Sequence, residues 1–203
     1  MFDWATRLAT RFCLAAFGLL LLAGCSHSGH WNDTDISGSV PTLSFSMVRA
    51  EDHKAVTGAD YRGKVTLLYF GYTFCPDVCP LTLSNVAQVL KRLGPDASRV
   101  RLLFVTVDPD RDSLAVLKRY TEAFAPEIDG LRGDADALAA LARRYRVAYS
   151  VDPHGAGGAY EVTHSSGIYV FDRRGKARLL ISSLSTASPD IEGVAADLRR
   201  LLR

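Results

Sequence analysis

Val65-Thr66-Leu67-Leu68-Tyr69-Phe70-Gly71-Tyr72-Thr73-Phe74-Cys75-Pro76-Asp77-Val78-Cys79-Pro80 is the stretch whose reading decides the fold. Val65 to Phe70 is a near-continuous apolar run rich in branched and aromatic residues, the pattern of a strand buried on both faces. Beyond the motif, Leu83, Val86, Leu90 and Leu93 recur at helical spacing. Both cysteines therefore sit where a strand hands over to a helix. Pro76 and Pro80 lack amide hydrogens and disfavour helix in the residue before them, which predicts a turn entering a helix at Pro80. Free amides at that helix start favour a thiolate and are expected to lower the pKa of both cysteines.

Working outward, Val100 to Val107 reads as a second buried strand, and Leu114, Leu117, Tyr120 and Phe124 mark a helix that Asp112 or Ser113 can cap. Asp134 opens a third helix carrying Leu138, Leu141 and Tyr145. Ile168 to Phe171 and Ala177 to Ile181 flank Arg173-Arg174-Gly175-Lys176 as a hairpin, and Ser188-Pro189 starts a closing helix with Ile191, Val194, Leu198 and Leu201 on one face. Towards the N-terminus, Leu43, Phe45 and Met47 alternate as in a half-buried strand, and Tyr61-Arg62-Gly63-Lys64 supplies a turn. Alternating strands and helices followed by a hairpin and a last helix give an α/β fold. The expectation is a thioredoxin-like mixed sheet with helices on both faces and an N-terminal extension.

The first 24 residues read differently from the rest. Arg7 and Arg11 precede the apolar run Phe12–Ala23, too short to span a bilayer comfortably, which ends Leu22-Ala23-Gly24-Cys25. That ending resembles the lipobox of bacterial lipoproteins. Residues 1–24 are then a signal peptide, Cys25 a lipid-modified new N-terminus, and the protein an extracytoplasmic, membrane-anchored lipoprotein. The alternative is a plain N-terminal membrane anchor with Cys25 incidental. Residues 25–40, small and polar, read as a flexible tether, leaving 41–203 as one domain. With a net charge of only +2, the chain offers no electrostatic case for nucleic acid.

Once Cys13 leaves with the signal and Cys25 carries lipid, Cys75 and Cys79 are the cysteines that remain, too few for a structural disulfide framework. Four positions apart on helical geometry, their Cα atoms would lie ~6.2 Å apart, near enough for a disulfide or for both sulfurs to grip one ion. Two thiolates select soft ions, and Cu(I) suits a site with three protein ligands, whereas structural zinc wants four. His27 and His30 fall in the tether, His53 in a charged turn and His154 among glycines, all reading as solvated. His164, just before the strand at Ile168, is left open by spacing alone between a hydrogen-bonded loop histidine and a ligand. Asp77 beside the thiols can bias their charge or meet a partner, Asp108 reads as Asp-Pro turn chemistry, and Tyr72 and Phe74 would flank the site.

The stretch Tyr69 to Pro80 resembles the signature of the Sco/SenC family of copper proteins. Thr106-Val107-Asp108-Pro109-Asp110-Arg111-Asp112 and Val162-Thr163-His164-Ser165-Ser166 are similar to that family's second and third motifs, in the same order. The resemblance implies that Cys75, Cys79 and His164 are the ligands of one copper ion, Cu(I) or Cu(II). It also implies a partner, cytochrome c oxidase subunit II or a related copper oxidase, whose copper-A centre is assembled by copper delivery or by reduction of its cysteines. An upstream copper donor or thiol reductant would complete the set. One departure is Thr163, where the family pattern leads one to expect an acidic residue that would orient the imidazole.

Two enzyme readings stand beside the carrier. A thiol-disulfide oxidoreductase would use Cys75 and Cys79, although three residues rather than two separate them and no proline precedes the strand at Ile168. A peroxidase would need one activated thiol, and here a neighbouring thiol would trap it first.

Overall fold

The computed structural model describes residues 30–155 and 159–203, and within it Val65 begins strand β4 (Val65–Gly71), buried at every position. Before it come β1 (Thr34–Asp35), β2 (Ser46–Arg49) and β3 (Ala55–Thr57). After it follow α1 (Val78–Leu93), β5 (Val100–Thr106), α2 (Leu114–Glu122), β6 (Ile128–Arg132), α3 (Ala135–Tyr145), the pair β7 (Tyr149–Gly155) and β8 (Ala159–His164), β9 (Ile168–Phe171), β10 (Ala177–Ile181) and α4 (Ile191–Leu202). The main sheet runs β1-β10-β9-β4-β5-β6-β2-β3. Its centre, β4-β5-β6, is parallel, and the strands on both flanks are antiparallel. Parallel neighbours need crossovers, and α1 and α2 supply them.

Register assigns the helices to faces. Gly71, Phe104 and Gly130 share one side of the sheet, where Cys79 of α1 and Leu117 of α2 approach, and α4 packs on α1. Tyr145 of α3 stacks on Tyr169 and Phe171, which pair with Leu68 and Thr66 on the other side. Helices thus cover both faces in the expected thioredoxin-like arrangement. Side chains such as Leu67, Leu102 and Phe104 are buried to 1% exposure or less, each contributing about 1.5–3 kcal/mol, which makes β4 and β5 a stiff platform for whatever sits at their ends.

Local boundaries differ from the sequence reading for identifiable reasons. Ser113, not Asp112, caps α2 by accepting the Val116 amide at 3.3 Å, because the Asp112 carboxylate is used elsewhere. The closing helix starts at Ile191, with Asp190 accepting the Gly193 amide at 2.9 Å. Strand β6 carries Asp129 and Gly130, which hide it from an apolar pattern. Asp129 is satisfied by the Tyr61 hydroxyl at 2.9 Å and by Arg101 at 3.4 Å, and Gly130 leaves room for Leu117.

Residues 1–24, Cys25 and His27 lie outside the described residues. The described part of the expected tether is docked from Trp31 onward. Thr34 and Asp35 pair with Leu180 and Leu179, and the Asn32 and Asp33 amides donate to the Asp197 carboxylate at 2.8 and 3.0 Å. Burial, then the nearby Asp197 and Asp190 carboxylates, push the Asp33 carboxyl up to about 7.

A folded-state pKa raised above the unfolded value, about 3.9, means that the docked segment prefers the protonated acid. Its stabilising effect is full below about pH 4 and is lost as pH rises through about 7. Asp33→Asn should therefore match wild type at pH 4 and exceed it at pH 8, by about 1 kcal/mol after allowance for solvent screening. Thermal melts at the two pH values check this, and equal differences at both would exclude it.

Candidate metal centre

At the end of β4 the chain must turn and let a helix begin against the sheet. Gly71 makes that approach possible: a Cβ there would lie 2.6 Å from the Phe104 ring and 3.0 Å from the Cys79 sulfur. The turn that follows is pinned by Asp112, fully buried, which accepts the Thr73 amide at 3.0 Å, the Thr73 hydroxyl at 2.5 Å and the Thr106 hydroxyl at 2.6 Å. One carboxylate thereby ties the cysteine loop to the end of β5.

Helix α1 begins at Val78, two residues earlier than expected, with Pro80 inside its first turn. That position needs no amide hydrogen, so the proline is tolerated. Cys79 thus lies in the helix, buried to 0% exposure, while Cys75 stands in the preceding loop, half-buried. The helical Cα estimate for the pair does not apply. Their sulfurs are brought together because the Cys79 amide donates to the Cys75 Sγ at 3.4 Å.

His164 ends β8, which pairs with β7 through Tyr149↔His164, Ser150↔Thr163 and Val151↔Val162. This separate hairpin replaces the simple loop expected before Ile168. The ring Nδ1 lies 3.1 Å from the Ser165 carbonyl, which can only accept, so Nδ1 carries the hydrogen and Nε2 keeps a lone pair. That Nε2 is 3.3 Å from the Cys79 Sγ. Tyr69 and Tyr72 meet the imidazole edge-on at 6.0 and 5.9 Å between centroids. The ring orientation that a carboxylate at 163 would have provided comes instead from the Ser165 carbonyl, while the Thr163 and Ser150 hydroxyls lie 2.8 Å apart across the hairpin.

The donor atoms of Cys75, Cys79 and His164 all lie within 4.8 Å of one another, the one such His, Cys or carboxylate cluster of three or more among the described residues. An ion making three bonds of ~2.0–2.3 Å in a plane holds its donors ~3.5–4 Å apart, so side-chain shifts of about an ångström complete the set. Of the other histidines, His30 is exposed, and His53 is exposed in a left-handed turn at φ 60°. The backbone of His154 belongs to β7, and its side chain lies outside the described residues.

The two thiols are not alike, which corrects the expectation that both would be acidified. Burial works against a Cys75 thiolate, but the Cys79 and Asp77 amides, the Cys79 thiol and the Tyr72 hydroxyl outweigh it and lower its pKa. Burial dominates at Cys79 and pushes it up to about 12, helped by the neighbouring Cys75. Burial also lowers the His164 pKa, so the ring stays neutral and ligand-competent. Asp77 is exposed, makes no side-chain cap, and acts on Cys75 through its amide. Its side of a 320 Å³ groove faces Tyr72, Cys75, Val78, Val162 and His164. Asp108 does more than shape a turn. It is fully buried and paired with Arg111, whose guanidinium lies 4.9 Å from the ring centroid of Phe74, a side chain 58% exposed beside the site.

A family model for SCO1/SenC matches residues 37–203. The chain belongs to the SCO1/SenC family. Among its relatives, the mitochondrial SCO2 homologue of Mus musculus is 39% identical over 153 residues, covering 73% of this chain and 58% of that protein. The chain spans about half the length of the curated relatives it matches. Among solved structures, Bradyrhizobium japonicum ScoI with copper bound superposes with a TM-score of 0.70 at 38% identity, covering 79% of this chain and 99% of that one. Apo Sco1 from Thermus thermophilus gives 0.74 at 32% identity, covering 87% and 100%.

Two residues of this SCO1/SenC domain escaped the sequence reading. Gly71 reads there only as part of the first motif at the end of a buried strand, and Asp112 only as one of two candidate caps and the last residue of the second motif. Gly71→Ala should displace the Cys79 sulfur or the Phe104 ring and lower stability by about 1–3 kcal/mol. A denaturation midpoint unchanged from wild type would contradict this. The unequal thiols predict that iodoacetamide at pH 7 modifies Cys75 first, with Cys79 in a Cys75→Ser background at least ~10-fold slower. Equal rates, read by peptide mass mapping, would refute the asymmetry.

Proposed function

We propose that the protein is a copper carrier that binds one copper ion through Cys75, Cys79 and His164. It delivers that ion to the copper-A centre of a cytochrome c oxidase, on subunit II or its equivalent in a related copper oxidase, or prepares the cysteines there. The observation that carries this is the donor set itself: two sulfurs and a neutral imidazole within 4.8 Å, with the Nε2 lone pair turned inward. Two soft thiolates and one nitrogen suit Cu(I), and a relative of the same fold with copper bound supports copper as the metal. The exposed Phe74 and the groove beside Cys75 offer an approach for the acceptor, which must reach the ion from the Cys75 side because Cys79 is sealed. Tethering by lipid on Cys25 after loss of residues 1–24, with the domain on the extracytoplasmic side, fits an acceptor embedded in the same membrane.

The unequal thiols also favour a redox contribution at the same site. An accessible, acidified Cys75 backed by a buried Cys79 suits attack of the Cys75 thiolate on a disulfide of the acceptor, one acceptor cysteine leaving as a thiolate. Cys79 then displaces the second acceptor cysteine, so the acceptor disulfide is reduced as Cys75 and Cys79 are oxidised to a bridge. Closing that bridge removes both sulfur donors and releases the ion.

Cu(I) titration against a competing chelator, with X-ray absorption of the loaded protein, tests the carrier. One copper per chain with two sulfurs and one nitrogen is expected. Cys75→Ser and Cys79→Ser should lose tight binding, and His164→Ala should weaken it beyond the ~10–100-fold typical of a group that merely supports a ligand. His164→Ala binding like wild type would end the proposal. Loading must displace the Cys79 proton at any pH below about 12, and the Cys75 proton only below its lowered pKa. Affinity should therefore rise with pH up to about 12, more steeply below the Cys75 pKa than above it, and a flat profile would contradict the assignment.

A further inference from the structure

At the opposite end of the sheet from the cysteines lies a second, differently built surface. Strand β9 runs antiparallel to β4, so the turn after it returns beside the start of β4, where the Gly63 amide donates to the Arg173 carbonyl at 2.8 Å. At 3.3 Å per residue the seven residues of β4 separate this end from the metal centre by roughly 20 Å. The C-terminal end of α4 arrives at the same place. Between them is a groove of about 520 Å³ lined by Arg173, Arg174, Arg178, Arg200 and Arg203, with Trp31, Leu201 and Asp172.

Asp172 is the one carboxylate in the lining, Arg178 also faces Asp35, and Arg200 stands against Trp31, so among the described residues Arg173, Arg174 and Arg203 are positive charge beyond that pairing. Asp172 engages Arg178 at 3.6 Å, and its Oδ1 accepts the Arg174 and Lys176 amides at 2.9 and 3.0 Å. The groove therefore keeps a surplus of positive charge, although the whole chain is nearly neutral. The Trp31 ring lies at its edge, 3.8 Å from the Arg200 guanidinium and 5.5 Å from that of Arg178. An indole among arginines, half-buried and next to an apolar Leu201, combines the two residue types that settle at a membrane interface.

We propose that this face docks on anionic phospholipid headgroups of the membrane. The proposal rests on the reading that Cys25 is lipid-anchored. Trp31 is the sixth residue after Cys25, so the chain enters the folded unit at this face and a short tether holds it near the bilayer. Charge complementarity with phosphates selects the lipid, since guanidinium groups pair with phosphate in a two-point fork. Docked this way, the domain holds Cys75 and His164 on the side turned away from the bilayer, towards the aqueous domain of an acceptor. The surface is therefore an orienting device for copper transfer.

The test uses the full, anchored chain in nanodiscs of phosphatidylcholine alone or with one third phosphatidylglycerol, footprinted by phenylglyoxal with mass mapping. Phosphatidylglycerol should slow modification of Arg173, Arg174 and Arg203 at least ~10-fold while Arg111, beside the metal centre, reacts equally in both. The protection should vanish in 0.5 M salt, as screening requires. Arg174→Glu with Arg203→Glu should abolish protection of Arg173, and the paired lysine substitutions should keep it. Equal footprints in both lipids, or protection extending to Arg111, would overturn the proposal. So would protection by inorganic phosphate in phosphatidylcholine discs as strong as that by phosphatidylglycerol, which would make this a free-anion site. Protection by polyglutamate but not by phosphatidylglycerol would likewise assign the face to an acidic protein. The anchor is judged separately, by retention on phosphatidylcholine discs in 0.5 M salt and its loss in Cys25→Ser; a failed anchor leaves the lipid-dependent footprint to be read on its own.

Discussion

The arrangement depends on burying one sulfur atom at the junction of a strand and a helix. Cys79 reaches the sheet because Gly71 has no side chain to hold it off, and it stays there because α1 begins at Val78 and packs its apolar face inward. Once that sulfur is fixed, the other groups are placed relative to it. Its own amide draws in the Cys75 sulfur, and the imidazole of His164 closes over it between two tyrosine rings. A core of buried leucines and aromatics under β4 and β5 makes this junction stiff, and the cysteine loop forms its outer wall.

That loop is restrained without being sealed. Asp112 takes three hydrogen bonds from Thr73 and Thr106, a buried carboxylate fully engaged with donors, which is the condition under which burial of a charge is tolerated. Arg111, paired with Asp108 and set against Phe74, steadies the outer side. The consequence is electrical as much as mechanical. One thiol sits among amides and is acidified, and the other sits in the dry interior and holds its proton. On the proposed ligand set a soft cation would supply the positive charge that the buried thiolate lacks, so capture of the ion would be coupled to release of a proton.

Much of this was legible beforehand. The apolar run Val65–Phe70, the helical spacing of Leu83, Val86, Leu90 and Leu93, and the hairpin around Gly175 are local patterns, and local patterns are what periodicity records. Strand β6 escaped because Asp129 and Gly130 break its pattern, their burial being made acceptable by Tyr61 and Leu117 from distant segments. The hairpin of β7 and β8 escaped because its strands are polar, and the docking of Trp31 to Asp35 because its partners lie on β10 and α4.

The sequence by itself determined the donor types, their order in the chain and the strand-to-helix setting of the two cysteines, because those follow from residue chemistry and near-neighbour spacing. Only the tertiary structure decided that His164 joins them, which of its ring nitrogens faces the sulfurs, and that the two thiols differ in acidity. Eighty-five residues separate His164 from Cys79, and burial is a property of the packed whole. Neither a convergence across that distance nor a local dielectric can be written in the neighbours of a single residue.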